Sequence, residues 1–319
     1  MQEDDEPYDA PMTARATRAD WLIFLALGFM WGSSYLFIKL AVDDFGTFTL
    51  IAVRLLIGAV MLWVVVRASG TALPRQRRTY GHLIVMASIN IVVPFTLITW
   101  AEQSVDSALA AILNSTVPLF VLVIAPAFLP EEPIRLNGVV GLAVGFAGIV
   151  LLVSPGLVDA SGNPAGELAL LGSSLAYAAG NVYNRRNVRG LAPLIPAVFQ
   201  VTFALLIVGT LALVLERPWE TATPDLQSWV SVAWLGILGS GLAYLAYFRL
   251  LSHWGATRTS LVAYLLPIVG IVLGYLVLQE PVDATLLAGT ALVIAGVALV
   301  NGRWGRRRLF SPTPPVEPV

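Results

Sequence analysis

The chain has 319 residues, 57% hydrophobic and only 12% charged, with a formal net charge of -1 and a mean hydropathy of +0.78. A soluble surface needs roughly 25% charged residues, so this composition excludes a water-soluble globule and leaves the bilayer as solvent. The near-neutral balance offers no basic field for nucleic acid, and the absence of cysteine removes disulfides, thiolate chemistry and cysteine metal sites.

Residues 1–20, acidic at Glu3, Asp4, Asp5 and Glu6 and without a short apolar stretch, read as a disordered tail rather than a cleavable signal peptide. About 20 apolar residues cross a hydrocarbon core of about 30 Å. Breaks at charge, Gly and Pro then predict helices near 21–41, 48–67, 81–100, 107–129 and 136–154, followed by 166–187, 192–215, 228–250, 257–279 and 284–302. The gaps are too short for a soluble catalytic domain, and 303–319 form a second tail. Sixteen of the nineteen Lys and Arg residues fall on one side of this arrangement; Lys39, Arg54 and Arg217 lie at or near the other. Such asymmetry requires an even number of crossings and places both termini in the cytoplasm. The expected fold is an all-α integral membrane protein of ten transmembrane helices, in two five-helix repeats over 21–154 and 166–302.

The repeat is visible as sequence. In "LAAILNSTVPLFVLVIAPAFLPEEP" from Leu109 and "RTSLVAYLLPIVGIVLGYLVLQEP" from Arg258, Pro118 answers Pro267 and Glu131 answers Glu280, both 149 residues on. After a one-residue slip Pro133 answers Pro281, Gly141 answers Gly289 and Gly148 answers Gly296, each 148 on. Five crossings per half make the second half enter from the opposite side, so the repeat is inverted, with a substrate site expected near the midplane between the halves.

With "WGSSYLFIKLA" in helix 1, "FTLIAVRLLIGAVML" around Arg54 in helix 2 and the Pro, Glu-Pro, Gly series closing each half, the chain resembles the ten-helix EamA branch of the drug/metabolite transporter superfamily. The helix 3 entry "WAEQSVDSALAA" departs from the family's commoner aromatic at that point. Within the branch the chain is similar to the YddG-type exporters of aromatic and neutral amino acids. The resemblance implies transport by alternating access, through a cavity lined by helices 1, 3, 4, 6, 8 and 9.

No HExxH, phosphate loop, paired carboxylates at one depth or Ser/His/Asp set appears, so no catalytic or metal site and no cofactor is expected. His82 and His253 lie close to helix ends. Glu102, Asp106 and Glu167 are expected near solvated helix ends. Glu131, Glu132 and Glu280 precede Pro133 and Pro281 and are expected to cap the helix that follows. Helix 1 has no acid between Asp20 and Asp43, which weakens a carboxylate-driven proton antiport. Arg54 is expected to pair with Asp43 or Asp44 or to snorkel outward; otherwise it offers a cation to a substrate carboxylate.

Polar, uncharged residues define the candidate cavity. Asn90 and Pro94 share a face of helix 3, and Asn114 and Pro118, with Ser115 alongside, share one of helix 4. Helix 9 answers with Ser260, Tyr264 and Pro267. A mid-span proline frees the carbonyl four residues earlier, which small polar groups or water must satisfy. Trp31, Ser34 and Tyr35 in helix 1, Tyr177 and Asn181 in helix 6, and Ser240, Tyr244 and Tyr247 in helix 8 add aromatic walls with polar handles. The glycines of helices 5 and 10 allow close packing. Together these features suggest an inner-membrane exporter of small amphipathic metabolites, foremost aromatic or neutral amino acids, working as a monomer in the lipid bilayer. Drugs, nucleosides or other metabolites are the alternative cargo, and a membrane enzyme or sensor is the alternative outside transport.

Overall fold

In hydrocarbon every backbone N–H and C=O must be satisfied within the protein, and a helix does this segment by segment. The computed structural model describes residues 17–129, 136–158, 163–188, 191–192 and 194–301, and among these it is predominantly helical, without strands. The ten helices are α1 (Arg18–Lys39), α2 (Thr47–Ser69), α3 (Arg77–Ala101), α4 (Ser107–Phe128) and α5 (Leu136–Val158), then α6 (Pro164–Asn187), α7 (Leu194–Glu216), α8 (226–259), α9 (260–278) and α10 (Ala284–Asn301). Eight of them are long and apolar enough to span a membrane by length and composition. The other two are α10, apolar but shorter, and α6, whose 24 residues reach about 36 Å but carry Ser173, Ser174, Tyr177 and Asn181. Helix α1 starts at Arg18, earlier than expected, because Thr17 and Asp20 form a reciprocal cap. Glu131, Glu132, Pro133 and the two tails, apart from residues 17–20, lie outside the described residues.

Packing repeats with the chain. Helix α2 lies along α7, α4 against α9, and α5 along α10. The contact of α3 with α6 is mirrored by that of α8 with α1, α4 with α6 by α9 with α1, and α2 with α8 by α7 with α3. Exchanging these helices with those five places on therefore returns the same principal pairs, as an inverted repeat requires. The α5–α10 pair is the tightest. A Cβ on Gly141 would stand 2.6 Å from Gly296 O, and one on Gly296 would stand 2.5 Å from Gly145 Cα. The two backbones are in contact because only hydrogen separates them.

The solvent pattern of a soluble protein is reversed. Val64, Val150, Leu206, Val214 and Leu226 face outward, where acyl chains take the place of water. Ser33, Thr99, Ser173, Ser174, Ser240 and Glu102 are completely buried. The helices are also irregular at matching depths. Helix α3 carries a π turn over Ser88–Val92 and α8 a longer one over Leu235–Leu242. Helix α4 breaks at Ser115 and Thr116, and α9 opens with a 3-10 segment over Ser260–Tyr264. Such interruptions are tolerated at membrane depth only where other protein groups or water satisfy the backbone.

Candidate functional site

The break in α4 follows from Pro118, which cannot donate to the carbonyl of Asn114. The chain tightens there: Thr116 N donates to Leu113 O at 3.3 Å. Hydroxyls cover the neighbouring carbonyls, with Ser115 Oγ donating to Ile112 O at 2.7 Å, and Thr116 Oγ1 and Ser174 Oγ donating to Leu113 O at 2.6 and 3.0 Å. Asn114, at the break, becomes a polar node joining three helices. Its Nδ2 donates to Tyr35 Oη at 2.6 Å, and its Oδ1 accepts from Ser173 Oγ at 3.2 Å and Ser174 Oγ at 3.4 Å. A buried network whose members are all satisfied fixes one arrangement of its helices; this one locks α1, α4 and α6.

Arg54 departs most from expectation. It pairs with neither Asp43 nor Asp44 and does not snorkel: Asp44 instead accepts from Ser228 Oγ at 2.7 Å. Arg54 is only 4% exposed. Its Nε donates to Ser240 Oγ at 3.3 Å, and its Cζ lies 4.3 Å from the centroid of the Phe95 ring. The π turn of α8 supplies Ser240, and glycines let α2 come close: a Cβ on Gly239 would stand 3.0 Å from Ser34 Oγ and 3.3 Å from Arg54 Nη2. Tyr35, Tyr177, Tyr244 and Glu102 lie within electrostatic reach of the guanidinium. No carboxylate forms an ion pair with it among the described residues. A charge at this depth costs several kcal/mol, and one hydroxyl with one aromatic face offsets only part of that.

The candidate residues divide around this centre. Tyr35, Ser34, Asn114, Ser115, Tyr177 and Tyr244 gather near Arg54 or its neighbouring node. Trp31 and Tyr247 form an adjoining aromatic wall, rings 5.5 Å apart, and Pro118, Pro267 and Pro94 shape the helices behind them. Tyr264 packs against the core. Asn90 turns elsewhere, donating to Gln200 Oε1 at 3.3 Å across the α3–α7 contact, and Asn181 is exposed. The histidines hold surface contacts, His82 with Tyr183 Oη at 2.7 Å and His253 with Asp20 at 3.2 Å. Sequence reasoning missed Gln200, Ser173 and Ser174; their signal was the recurrence of small polar residues on otherwise apolar helices.

Two further corrections concern acids. Glu280 caps a helix, but not the one that follows it: its two oxygens accept from Ser107 N at 2.7 Å and Ala108 N at 2.9 Å, at the start of α4 in the other repeat. Asp283 Oδ1, accepting from Leu286 N at 2.7 Å, caps α10. Glu102 is not solvated: none of it is exposed, and neither carboxyl oxygen has a hydrogen-bond partner. No group of three or more His, Cys, Asp or Glu residues able to hold a metal occurs among the described residues.

Ten helices in two mutually packed five-helix units, with a buried polar centre at their broken segments, define a membrane transporter. The chain belongs to the EamA-like transporter family, whose model matches residues 18–154 and 164–302, one match for each repeat. It is 29% identical over 296 residues, 92% of this chain and 93% of the relative, to the "Uncharacterized inner membrane transporter YedA" of Escherichia coli K12. It is 22% identical over 290 residues, 89% of this chain and 97% of the relative, to the "Uncharacterized transporter YoaV" of Bacillus subtilis. A solved structure titled "Crystal structure of protein" shares the fold at a TM-score of 0.64 and 22% identity, covering 88% of this chain and 96% of that one.

Proposed function

We propose that the protein exports neutral amphipathic amino acids, aromatic ones included, by alternating access of the two repeats around Arg54. The observation that carries this reading is the guanidinium itself: buried, held by one serine and one phenyl ring, and without a carboxylate in ion-pair contact among the described residues. A substrate carboxylate completes its coordination, and Arg presents a fork of donors suited to a planar anion. Tyr35, Tyr177, Tyr244 and the Trp31–Tyr247 pair provide the apolar wall an aromatic or long aliphatic side chain needs. One cation for one carboxylate fits a zwitterion better than a phosphorylated metabolite, which calls for several basic groups.

In this reading the cavity is lined by helices α1, α3, α4, α6, α8 and α9, joined by α2, which supplies the cation. The protein works in the inner membrane as a monomer, with both termini cytoplasmic; the basic loops on one face and the name of the Escherichia coli relative support this placement. At the opposite, acidic end Ala41, Val42, Phe45, Ala101 and Val105 are all buried, which supports a state closed on that side.

The test is counterflow of radiolabelled L-phenylalanine into proteoliposomes, beside phenethylamine, which keeps the ring and amine but lacks the carboxylate. The wild type is expected to move the amino acid and not the amine. Arg54→Gln is expected to lower its kcat/KM roughly tenfold to a hundredfold, the worth of one charge-assisted contact. Equal movement of both compounds, with Arg54→Gln unaffected, refutes carboxylate recognition.

A further inference from the structure

Glu102 is the first residue beyond α3, fully buried, with both carboxyl oxygens unpartnered. The base beside it is already engaged: Lys39 Nζ donates to the main-chain carbonyls of Glu102 at 2.7 Å and Val105 at 3.1 Å, not to the carboxylate. Lys39 and Tyr35 face Glu102 from α1, Arg54 from α2, and Glu280 from the α9–α10 connection; Asp106 stands on the same side, within reach of Glu280 and Lys39. A carboxylate stripped of water and of donors is too costly to stay ionised. Neutralisation by a metal ion is poorly served, because hard cations need about six oxygen ligands and Lys39 occupies the two nearby carbonyls. A proton needs only the carboxyl group. On the acidic side a cavity of about 220 Å³ is lined by Asp106, Glu167, Glu280 and Asp283, with Glu167 Oε2 also buried and unpartnered.

We propose that Glu102 is a proton-binding site that couples export of the substrate to entry of one proton. The identity of the exchanged solute rests on the amino-acid reading above. In the state closed at the acidic end Glu102 is a neutral carboxyl. When a zwitterion binds with its carboxylate on Arg54, its ammonium group takes over as counter-charge to Glu102, and the proton leaves to water on the basic side. After the repeats rock and the substrate departs through the acidic end, the carboxylate takes a proton from water there and the end recloses. No covalent bond changes; one proton moves in for each zwitterion moved out.

The experiment uses proteoliposomes of the full chain, L-phenylalanine as probe and the membrane potential clamped. With the lumen one pH unit more acid than the outside, one-for-one exchange drives about a tenfold accumulation inside. The wild type is expected to approach that ratio, and Glu102→Gln, without the counter-charge for the ammonium, to show counterflow at a raised KM and with no response to the gradient. A pH-driven Glu102→Gln, a wild type indifferent to pH, or a sodium gradient that replaces the pH gradient each overturn the proposal. Should Glu102→Gln lose counterflow as well, Glu102→Asp is expected to restore both activities, and its failure to do so also overturns the proposal. A substrate-free measurement separates the two readings. Infrared titration of the wild type is expected to show a carboxylic C=O band at neutral pH that Glu102→Gln lacks. That band, with no L-phenylalanine moved, removes the amino-acid reading and keeps the proton site; its absence overturns the proton site even where L-phenylalanine is carried.

Discussion

Replacing Glu280 with Gln separates a cap from an ordinary surface acid. Glu280 is 6% exposed and holds two backbone donors of α4 at 2.7 and 2.9 Å. Glutamine keeps one acceptor oxygen but turns an NH2 group toward the second N–H. The lost charge-assisted bond is worth about 1.5–3 kcal/mol, and the lost charge at a helix N-terminus up to about 2 kcal/mol. The two terms overlap, so the expected destabilisation is about 3 kcal/mol, a fall of roughly 5–10 °C in melting temperature. The assay is thermal unfolding in detergent followed by tryptophan fluorescence. Asp283→Asn is the control: that acid caps α10 at an exposed site through one 2.7 Å bond, and asparagine caps as well as aspartate, so a change within about 0.5 kcal/mol is expected. A Glu280→Gln protein that melts with the wild type, or no lower than Asp283→Asn, refutes the cap between repeats.

Gly296→Ala is expected to cost about 1–3 kcal/mol through overpacking, because its Cβ would meet Gly145 backbone atoms at 2.5 Å. Gly81→Ala, with nothing within 4 Å, is expected to stabilise α3 by about 0.5–1 kcal/mol, and equal melting temperatures for the two would sink the α5–α10 contact argument. Asn114→Leu removes the node and leaves Tyr35, Ser173 and Ser174 without that partner; a loss of about 2–4 kcal/mol is expected in the same melts. Burial is the main cause that holds the Glu102 carboxyl well above its ordinary 4.5, with Glu280 adding to it and Lys39 and Arg54 opposing. The folded state therefore keeps a proton that the unfolded chain has lost. Its contribution to stability is full below pH 4.5 and is lost as pH rises toward the folded value, by up to about 1.4 kcal/mol per unit. Glu102→Gln is expected to flatten that slope between pH 5 and 8, and parallel slopes count against a neutral carboxyl.

The helices and the repeat were legible because they rest on signals that local sequence carries: apolar length, breaks at Gly and Pro, and a series at offsets of 148 and 149. The α4 break was legible for the same reason, since Pro118 acts on its own helix. Partners across the bundle were not. Glu280 precedes Pro281, so the local rule assigned it to α10, while the inverted packing delivers it to α4. Arg54 lies eight residues into α2, close enough to the surface for snorkelling on length alone; what turns it inward is the π turn of α8 and its glycines, more than 180 residues away. Glu102 lay one residue past a helix end, where solvent is the default, and only the packing of α1 against the α3–α4 turn removes it.

The two-fold exchange also shows where the halves differ. Arg54 on α2 bonds Ser240 in the π turn of α8; Gln200 on α7, 146 residues after Arg54, bonds Asn90 in the π turn of α3. The same contact is thus made twice with different chemistry, a cation on one side of the pseudo-axis and an amide on the other. A symmetric pair of arginines would put two unpaired charges in one dry centre, doubling a cost of several kcal/mol and favouring a dianion. A symmetric pair of amides would offer no charge to a carboxylate. A symmetric scaffold suits the proposed rocking of the two halves between equivalent arrangements, while confining the charge to one half gives a single polarity to the site. On the proposed reading that polarity suits a zwitterion, with its carboxylate toward Arg54 and its ammonium toward the end where Glu102 lies.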